Sequence, residues 1–228
     1  MCGRVALFSP PARVARFTHA LESLDSAEWR PRWNVPPQRP VFVVREEDGA
    51  RRLVLHQWGL VPGWAKDPSM GARLANARAE TVAEKPSFRR AFLDRPCVLP
   101  VDGYYEWRVG PQGAKLPHFF TRRDEEPLLL AGLFEQWRST SSDEVLLTCC
   151  VITTEPSSDV VEVHDRMPVV LDSSDLDAWL QGDATLRHTL LRPAPSGTLH
   201  HHEVSRLVNS TRHDGPHLIN PEGTASLF

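Results

Sequence analysis

The sequence predicts a single α+β domain, built on a mostly antiparallel, partly barrel-like β-sheet flanked by helices. Its 228 residues fit one domain and are enough to bury a sizeable apolar interior. Short apolar segments of strand length dominate the pattern, and the turns between them are too tight for the crossovers that parallel strands need. No repeat, linker or low-complexity tract divides the chain, so we expect one domain over residues 2–222.

The N-terminal part is predicted to hold one helix and one hairpin. Ser9 followed by Pro10 is typical of a helix start. The proline-rich segment 29–40 is expected to be irregular, and two apolar runs at 41–44 and 53–55, with charged residues between them, predict a β-hairpin. The apolar residues that indicate the helix by their spacing are Val14, Phe17, Leu21 and Leu24.

The rest of the chain is predicted to be mainly short strands. Prolines and glycines indicate a loop over 58–71, and we expect the last strand near 204–208. The other strands are expected at 97–101, 104–108, 118–121, 128–133, 145–153 and 169–171. Helices are expected at 77–83, 88–93, 175–180 and 184–191.

Composition restricts the classes of partner and ligand. No apolar run is long enough for a membrane span, and no long apolar stretch follows the first residues, so we expect a cytoplasmic protein without a signal peptide. The net charge of −3 means that any nucleic acid must bind in a local basic groove. The four cysteines have no zinc spacing, and the consecutive His200–His202 would alternate between strand faces, so neither predicts a metal site.

Cys2 is distinguished from the other cysteines by its position. Removal of Met1 would leave a vicinal aminothiol, whose amine and thiol ordinarily titrate at about 8 and about 8.5. An aldehyde can form an imine with this amine and then a five-membered thiazolidine with the thiol. Glutamine amidotransferases of the N-terminal-nucleophile type also begin Met-Cys-Gly and use the cysteine for acyl transfer. Cys2 and Gly3 alone therefore leave both chemistries open.

Six segments, taken together and in order, closely resemble the SRAP family, which comprises the SOS-response-associated peptidases or abasic-site-processing proteins. The resemblance runs from Cys2 to about Asn209, nearly the whole chain. Its segments are Met1-Cys2-Gly3-Arg4, Arg32-Trp33-Asn34-Val35-Pro36-Pro37, Trp58-Gly59-Leu60-Val61-Pro62-Gly63-Trp64, Asn76-Ala77-Arg78-Ala79-Glu80-Thr81, Asp102-Gly103-Tyr104-Tyr105-Glu106-Trp107 and His164-Asp165-Arg166-Met167-Pro168.

The resemblance implies a protein that binds single-stranded DNA and cross-links through Cys2 to the aldehyde of an abasic sugar. Glu106 matches the family's catalytic glutamate, which can shuttle protons during ring opening and imine formation. His164 matches a histidine that can donate and accept a proton near neutral pH and can catalyse reopening of the cross-link. Asn76 matches an asparagine that orients the N-terminal residue, although it could instead cap the helix expected after it.

Arginines and tryptophans next to these motifs are the candidate DNA contacts. Arg4, Arg78 and Arg166 could hold the phosphates that flank the lesion. Trp64 and Trp107 offer flat surfaces for stacking an unpaired base. The resulting expectation is a monomeric, bacterial-type protein that associates with the nucleoid during DNA damage and needs neither cofactor nor metal. Its activity would be abasic-site processing by cross-linking, with a competing lyase activity. The alternatives are an N-terminal-nucleophile amidohydrolase or self-processing peptidase, and a passive single-strand-binding module.

Overall fold

The computed structural model describes residues 2–24, 29–139 and 141–223. Met1, whose removal the cysteine chemistry requires, lies outside the described residues. The described helices are α1 (Pro11–Thr18), α2 (Arg89–Asp94), α3 (Leu176–Leu180) and α4 (Ala184–Thr189). The described strands are β1 (Val5–Leu7), β2 (Leu21–Glu22), β3 (Arg32–Val35), β4 (Pro40–Glu47), β5 (Ala50–Trp58), β6 (Asn76–Arg78), β7 (Pro96–Val101), β8 (Gly103–Val109), β9 (Lys115–Arg122), β10 (Leu128–Arg138), β11 (Val145–Thr154), β12 (Met167–Pro168), β13 (Val170–Leu171) and β14 (Leu199–Glu203).

Most of the larger sheet closes into a five-stranded barrel. Each of the neighbouring pairs β11–β10, β10–β7, β7–β4 and β4–β5 is antiparallel, and a parallel pairing of β5 with β11 completes the ring. Strands β2, β6, β12 and β13 extend it. Closure leaves no free edge among the five strands. The predicted α+β class with a partly barrel-like, mostly antiparallel sheet is therefore confirmed.

The smaller sheet has the strand order β14-β9-β8-β1-β3, and all of its pairs are antiparallel. Its β8 begins at Gly103, where a Cβ atom would lie 2.3 Å from the Phe119 ring and 2.7 Å from the Phe120 carbonyl oxygen. A side chain at this position would therefore push β8 away from β9. One large buried cluster joins apolar residues of both sheets, so the two sheets share a core.

Several local predictions were right. The hairpin over 41–55 forms from β4 and β5, and the strands expected from 97 to 153 correspond to β7–β11. Three of the expected helices are present as α2, α3 and α4. The segment 58–71 is a loop for most of its length and leads into a 3₁₀ helix, Pro68–Arg73. No helix in the described part of the chain is long and apolar enough to cross a membrane.

Other local predictions were wrong. Helix α1 ends at Thr18 because His19 adopts the left-handed conformation with φ of 52°, so Leu21 lies in β2 instead of the helix. The segment 29–40 is not wholly irregular, because β3 lies within it. Ser9 does not cap α1: its hydroxyl and backbone N–H both donate to the Asp102 carboxylate.

Two further segments differ from the prediction because tertiary pairing overrides local pattern. Residues 77–83 form no α-helix; β6 pairs with β11 there and a 3₁₀ helix, Ala79–Thr81, follows. The last strand is Leu199–Glu203, and the segment after it forms a 3₁₀ helix, Arg206–Asn209. The pairings of β11 with β5 and with β6, and of β2 with β5, are parallel, so the sheet is not wholly antiparallel.

Candidate functional site

The site lies where the N-terminal segment enters the shared core. Strand β1 pairs with β8 through Val5 opposite Tyr104, and this ladder begins only at Val5. The chain before it places Cys2, which is fully buried, in the large core cluster. Glu106 lies on β8 two residues beyond Tyr104, so both side chains are on the same face of the strand. The strand pairing thus holds Cys2 and Glu106 in the same region of the core.

Asn76 connects the N-terminal segment to the barrel. Its Nδ2 donates a 2.7 Å hydrogen bond to the backbone oxygen of Cys2. Asn76 is held in place by β6, where it lies opposite Val151 of β11. Its Oδ1 is buried and has no hydrogen-bond partner among the described residues. The side chain therefore bonds Cys2 and does not cap a helix, and it keeps an acceptor next to the cysteine.

Glu106 and His164 form a pair across the site. The Glu106 Oε2 lies 3.7 Å from the His164 Nε2. The His164 Nδ1 lies 2.9 Å from the backbone nitrogen and 3.1 Å from the backbone oxygen of Arg166, so the Arg166 backbone orients the ring and its Nε2 faces Glu106. The His164 Nδ1 also lies 3.1 Å from the Asp165 Oδ1. The histidine is arranged to exchange a proton on the Glu106 side.

Burial dominates the acid–base properties of the two groups on the core side. Burial raises the pKa of the Cys2 thiol well above its ordinary value, and the nearby Glu106 charge raises it further, against a hydrogen bond from the Arg4 backbone. Burial likewise raises the pKa of Glu106, while the charge of His164 opposes that shift. While Met1 is in place the Cys2 thiol is therefore protonated at neutral pH, and Glu106 is a stronger base than an exposed carboxylate.

A cleft of about 470 Å³ opens on one side of this pair. Glu106 is only 2% exposed at its floor, whereas His164 is partly exposed at its wall. A neighbouring hollow of about 460 Å³ is lined by Trp107, Lys115 and Asn209. The residues that line the cleft are Glu106, Trp107, Val109, Lys115, Val163, His164 and Asp165. The structure thus provides a solvent-accessible space next to the buried acid–base groups.

The three predicted arginines differ in their surroundings. The Arg4 Nη1 donates to the Asn34 Oδ1 at 2.5 Å and to the Val208 carbonyl oxygen at 2.8 Å, and its guanidinium lies 5.8 Å from the centre of the Trp107 ring. Burial lowers the pKa of Arg4. These contacts already bind Arg4 to the C-terminal segment.

Arg166 is also engaged within the protein. It forms a two-pronged ion pair with Glu80, at 2.5 and 3.0 Å, and donates a 2.7 Å hydrogen bond to the Thr153 carbonyl oxygen. Arg78 is exposed, and the described residues provide it with no hydrogen bond and no ion pair within 4 Å. Of the three, Arg78 is the arginine whose guanidinium is available to an external phosphate.

The two predicted tryptophans lie in different places. Trp107 is a wall of both the cleft and the neighbouring hollow, and its Nε1 donates a 2.6 Å hydrogen bond to the Asn209 Oδ1. Trp64 is 59% exposed and does not line the cleft; its Nε1 donates to the Pro86 carbonyl oxygen at 3.4 Å. The structure therefore brings Trp107, but not Trp64, next to Glu106.

Lys115 and Asn209 also border the site, and neither is predicted from the sequence. Lys115 begins β9 opposite Val109, so the register of the β8–β9 hairpin places it at the cleft. A prediction of that register from the strands at 104–108 and 118–121 could have found Lys115. Asn209 reaches the site through a long-range contact with Trp107 that no local pattern indicates.

No group of three His, Cys, Asp or Glu side chains that could hold a metal ion occurs within residues 2–24, 29–139 and 141–223. The run His200–His202 lies in strand β14, and its side chains have separate partners. His201 bonds His118, and His202 bonds the Ile219 carbonyl oxygen. The histidine run therefore belongs to the framework of the smaller sheet.

Comparison with known proteins gives one family. The family model described as SOS response associated peptidase (SRAP) matches residues 1–211. The abasic site processing protein YoqW of Bacillus subtilis is 36% identical over 222 residues, which cover 96% of this chain and 99% of the relative. The abasic site processing protein HMCES of Gallus gallus is 32% identical and is matched over 78% of its length.

Solved structures share the fold. A protein from Bacteroides thetaiotaomicron superposes with a TM-score of 0.86 at 22% identity, covering 96% of this chain and 99% of that one. A protein from Bordetella bronchiseptica superposes with a TM-score of 0.76 at 25% identity, covering 90% of this chain. The arrangement of barrel and smaller sheet is therefore one that experimental structures also contain.

Proposed function

The chain belongs to the SOS response associated peptidase (SRAP) family, and from this premise we propose that it processes abasic sites by forming a covalent cross-link between Cys2 and the ring-opened sugar in single-stranded DNA. Relatives at 36% and 32% identity carry the name abasic site processing protein, which supports the substrate class. The more specific part of the proposal, a thiazolidine that links Cys2 to an abasic sugar in single-stranded DNA, rests on the chemistry of the site.

The observation that carries the proposal is the pairing of Glu106 with His164 at an open cleft, with Cys2 close enough for the Glu106 charge to act on its thiol. Asn76 holds the Cys2 backbone oxygen through a 2.7 Å hydrogen bond, and Glu106 lies 3.7 Å from His164. An aldehyde held in this cleft would lie against two proton carriers, with the nucleophilic residue in the core region that Glu106 adjoins. This is the set that imine formation and ring closure need.

The proposed reaction begins when removal of Met1 frees the Cys2 amine. The amine attacks the C1′ carbonyl carbon, and the resulting carbinolamine loses its hydroxyl as water after receiving a proton from His164 or Glu106. The thiol then adds across the C=N bond, with sulfur bonding to C1′ and a net proton passing to nitrogen. The amine reacts first because only nitrogen can form the C=N bond, and Glu106, whose pKa burial raises, accepts the thiol proton during closure. General acid–base assistance of this kind is worth about 10²–10⁴ in rate.

DNA would reach the cleft past Arg78 and Trp107. An exposed guanidinium to which the described residues offer no hydrogen bond suits a phosphate, and an indole at the cleft wall suits an unpaired base. Arg4 and Arg166 would act on the strand only by exchanging their present partners, so we assign them first to holding the site together. Trp64, away from the cleft, would contact a more distant nucleotide.

The proposal is tested by incubating the protein with a single-stranded oligonucleotide that carries one abasic site, followed by a denaturing gel. Wild type is expected to give a shifted, denaturant-resistant band. Cys2→Ser should lose the shifted band, because serine has no sulfur with which to form the thiazolidine. A glycine inserted before Cys2 should also lose the band, because the Cys2 nitrogen is then part of a peptide bond. Cys97→Ser is the matched control, a buried thiol with no adjacent amine. A wild-type sample with no shifted band would sink the proposal.

The alternative is an N-terminal-nucleophile hydrolase, whose support is the family's description as a peptidase and the Glu106–His164 pair in a site where the Glu106 charge also acts on the Cys2 thiol. It would acylate Cys2 and turn over a peptide or amide without DNA. Intact mass after incubation separates the two: an acyl adduct favours hydrolysis, and a deoxyribose adduct favours capture. A passive single-strand-binding module would give neither adduct, and Cys2→Ala would leave its DNA binding unchanged.

A further inference from the structure

Two adjacent tyrosines of β8 differ in how their hydroxyl groups are bonded. The Tyr105 hydroxyl donates a 2.7 Å hydrogen bond to the Trp33 carbonyl oxygen. The Tyr104 hydroxyl is buried and has no hydrogen-bond partner among the described residues, and its residue is 0% exposed. A buried hydroxyl without a partner costs stability, and phenylalanine would fill the same space without that cost. The oxygen of Tyr104 therefore calls for an explanation other than packing.

The surroundings of Tyr104 are those of the reaction centre. Its side chain belongs to the same buried cluster as Cys2, and its Cα is paired with Val5 just after the N-terminal segment. It shares a strand face with Glu106. Its ring is held by stacking on Phe120, with centroids 4.9 Å apart. The phenol ring is thus fixed in the core cluster that contains Cys2, on the strand face that carries Glu106.

The electrostatics agree with this placement. Burial raises the pKa of Tyr104 far above its ordinary value, and among charged groups Cys2 contributes most, followed by Glu106 and Asp159. The phenol therefore keeps its proton at every pH at which the protein works. It can donate a hydrogen bond to a developing negative charge, but it does not act as a proton source.

We propose that the Tyr104 hydroxyl is a catalytic hydrogen-bond donor to the Cys2 sulfur during closure of the thiazolidine, an inference that rests on the proposed function. As the S–C1′ bond forms, the thiol proton passes to the Glu106 carboxylate, and the π pair of the protonated C=N bond becomes the lone pair of the ring nitrogen, which keeps its N–H. Negative charge develops on sulfur during this step, and a hydrogen-bond donor in a buried, low-dielectric site stabilises such charge more than it would in bulk water. The unpaired O–H of Tyr104 supplies the missing donor and retains its own proton.

The test compares Tyr104→Phe with Tyr105→Phe, each in the full chain with Met1 removed. Imine is trapped with borohydride and thiazolidine is measured without it, in single turnover with saturating abasic single-stranded DNA. Tyr104→Phe is expected to slow thiazolidine formation about tenfold, the effect of one hydrogen bond to a charged group, while borohydride-trappable imine accumulates. Its affinity for DNA should be unchanged and its melting temperature equal or higher.

Tyr105→Phe is the matched control and should behave in the opposite way. It loses a satisfied hydrogen bond, so its melting temperature should fall while its closure rate stays at the wild-type value. A Tyr104→Phe protein that closes the ring at the wild-type rate, or that slows imine and thiazolidine formation equally, overturns the inference. Absence of any adduct from wild type would instead defeat the proposed function, and this inference with it.

Discussion

Glu106 is the residue whose environment has most to do with the proposed chemistry. It is buried at the floor of the cleft, where burial raises its pKa, and its carboxylate faces the partly exposed His164. A buried carboxylate next to an imidazole can hold a proton in one step and take one in the next. This exchange is what imine formation followed by ring closure demands.

Replacing Glu106 by Gln should lower the single-turnover cross-linking rate by about 10²-fold or more, because the amide cannot accept the thiol proton. For wild type, the rate should fall as pH drops through the raised pKa of Glu106, since the protonated form is inactive as a base. That decline should occur at higher pH than for an exposed carboxylate, which titrates at about 4.3. The control variant is Glu203→Gln, which removes a carboxylate from β14 of the same sheet. Equal rates for Glu106→Gln and wild type would contradict the assignment.

The sequence predicts one contact of the candidate site and leaves the others open. The expected role of Asn76 in orienting Cys2 agrees with its 2.7 Å hydrogen bond to the Cys2 backbone oxygen, whereas the approach of Glu106 to His164 follows only from the fold. The internal partners of Arg4 and Arg166 were not predicted, because Asn34, Val208 and Glu80 are distant in sequence and none belongs to a periodic pattern. Orphaned groups such as the Tyr104 hydroxyl are visible only when all neighbours are known.

At the scale of elements, the segment from β11 to β12 is the part that presents His164. It is held to the barrel by Arg166, which bonds both Glu80 and the Thr153 carbonyl oxygen. The backbone N–H of the same residue orients the His164 ring. Removal of the Arg166 side chain would therefore loosen the segment that positions His164, although that side chain bonds Glu80 and Thr153 and not the histidine.

Two arginine variants separate support of the site from DNA contact. Arg166→Ala should lower the free energy of unfolding by about 1–3 kcal/mol, since it leaves a buried carbonyl and Glu80 without their partner, and should slow cross-linking. Arg78→Ala should leave stability within about 0.5 kcal/mol of wild type but weaken DNA binding and reduce its dependence on salt. Urea unfolding measures the free energy of unfolding of each variant, and titration with labelled single-stranded DNA at several salt concentrations measures its binding. The reverse pattern would show that Arg166 is the phosphate ligand.

The elements best predicted were those whose own residues decide their form. The hairpin of β4 and β5 and the buried strands β7 and β10 have continuous apolar runs bounded by turn residues. The wrong elements were those decided by distant partners. Residues 77–83 have a helical pattern, yet β6 forms because β11 offers an edge to pair with. The short strands β1 and β3 are likewise set by pairing, since β1 pairs with both β3 and β8.

At the scale of the whole molecule, two buried histidines make stability depend on pH. Burial lowers the pKa of both His56 and His118 to about 4, aided by Arg45 and His201 respectively. In the unfolded chain both titrate near about 6.5. Between these values the unfolded state binds more protons, so the folded state loses stability as pH falls from about 6.5 toward 4.

Urea unfolding at pH 7 and at pH 5 should therefore give a lower free energy of unfolding at pH 5, by on the order of 2 kcal/mol for each of the two histidines. His56→Gln should reduce this difference, because it removes one of the two groups. The m-value should stay the same, which would show that the compact state itself has not changed. A free energy of unfolding that is equal at both pH values would contradict the burial argument.

The burial of Cys2 behind strands and side chains from far along the chain has a consequence for how the protein matures. Its cover includes β8 and Asn76, so the first residues stay open to processing enzymes until more than a hundred residues have left the ribosome, a delay of about 5–20 s at ordinary elongation rates. We expect methionine excision to be fast on the nascent polypeptide and far slower on refolded protein that still carries Met1. Timed mass spectrometry with a purified methionine aminopeptidase measures the difference directly.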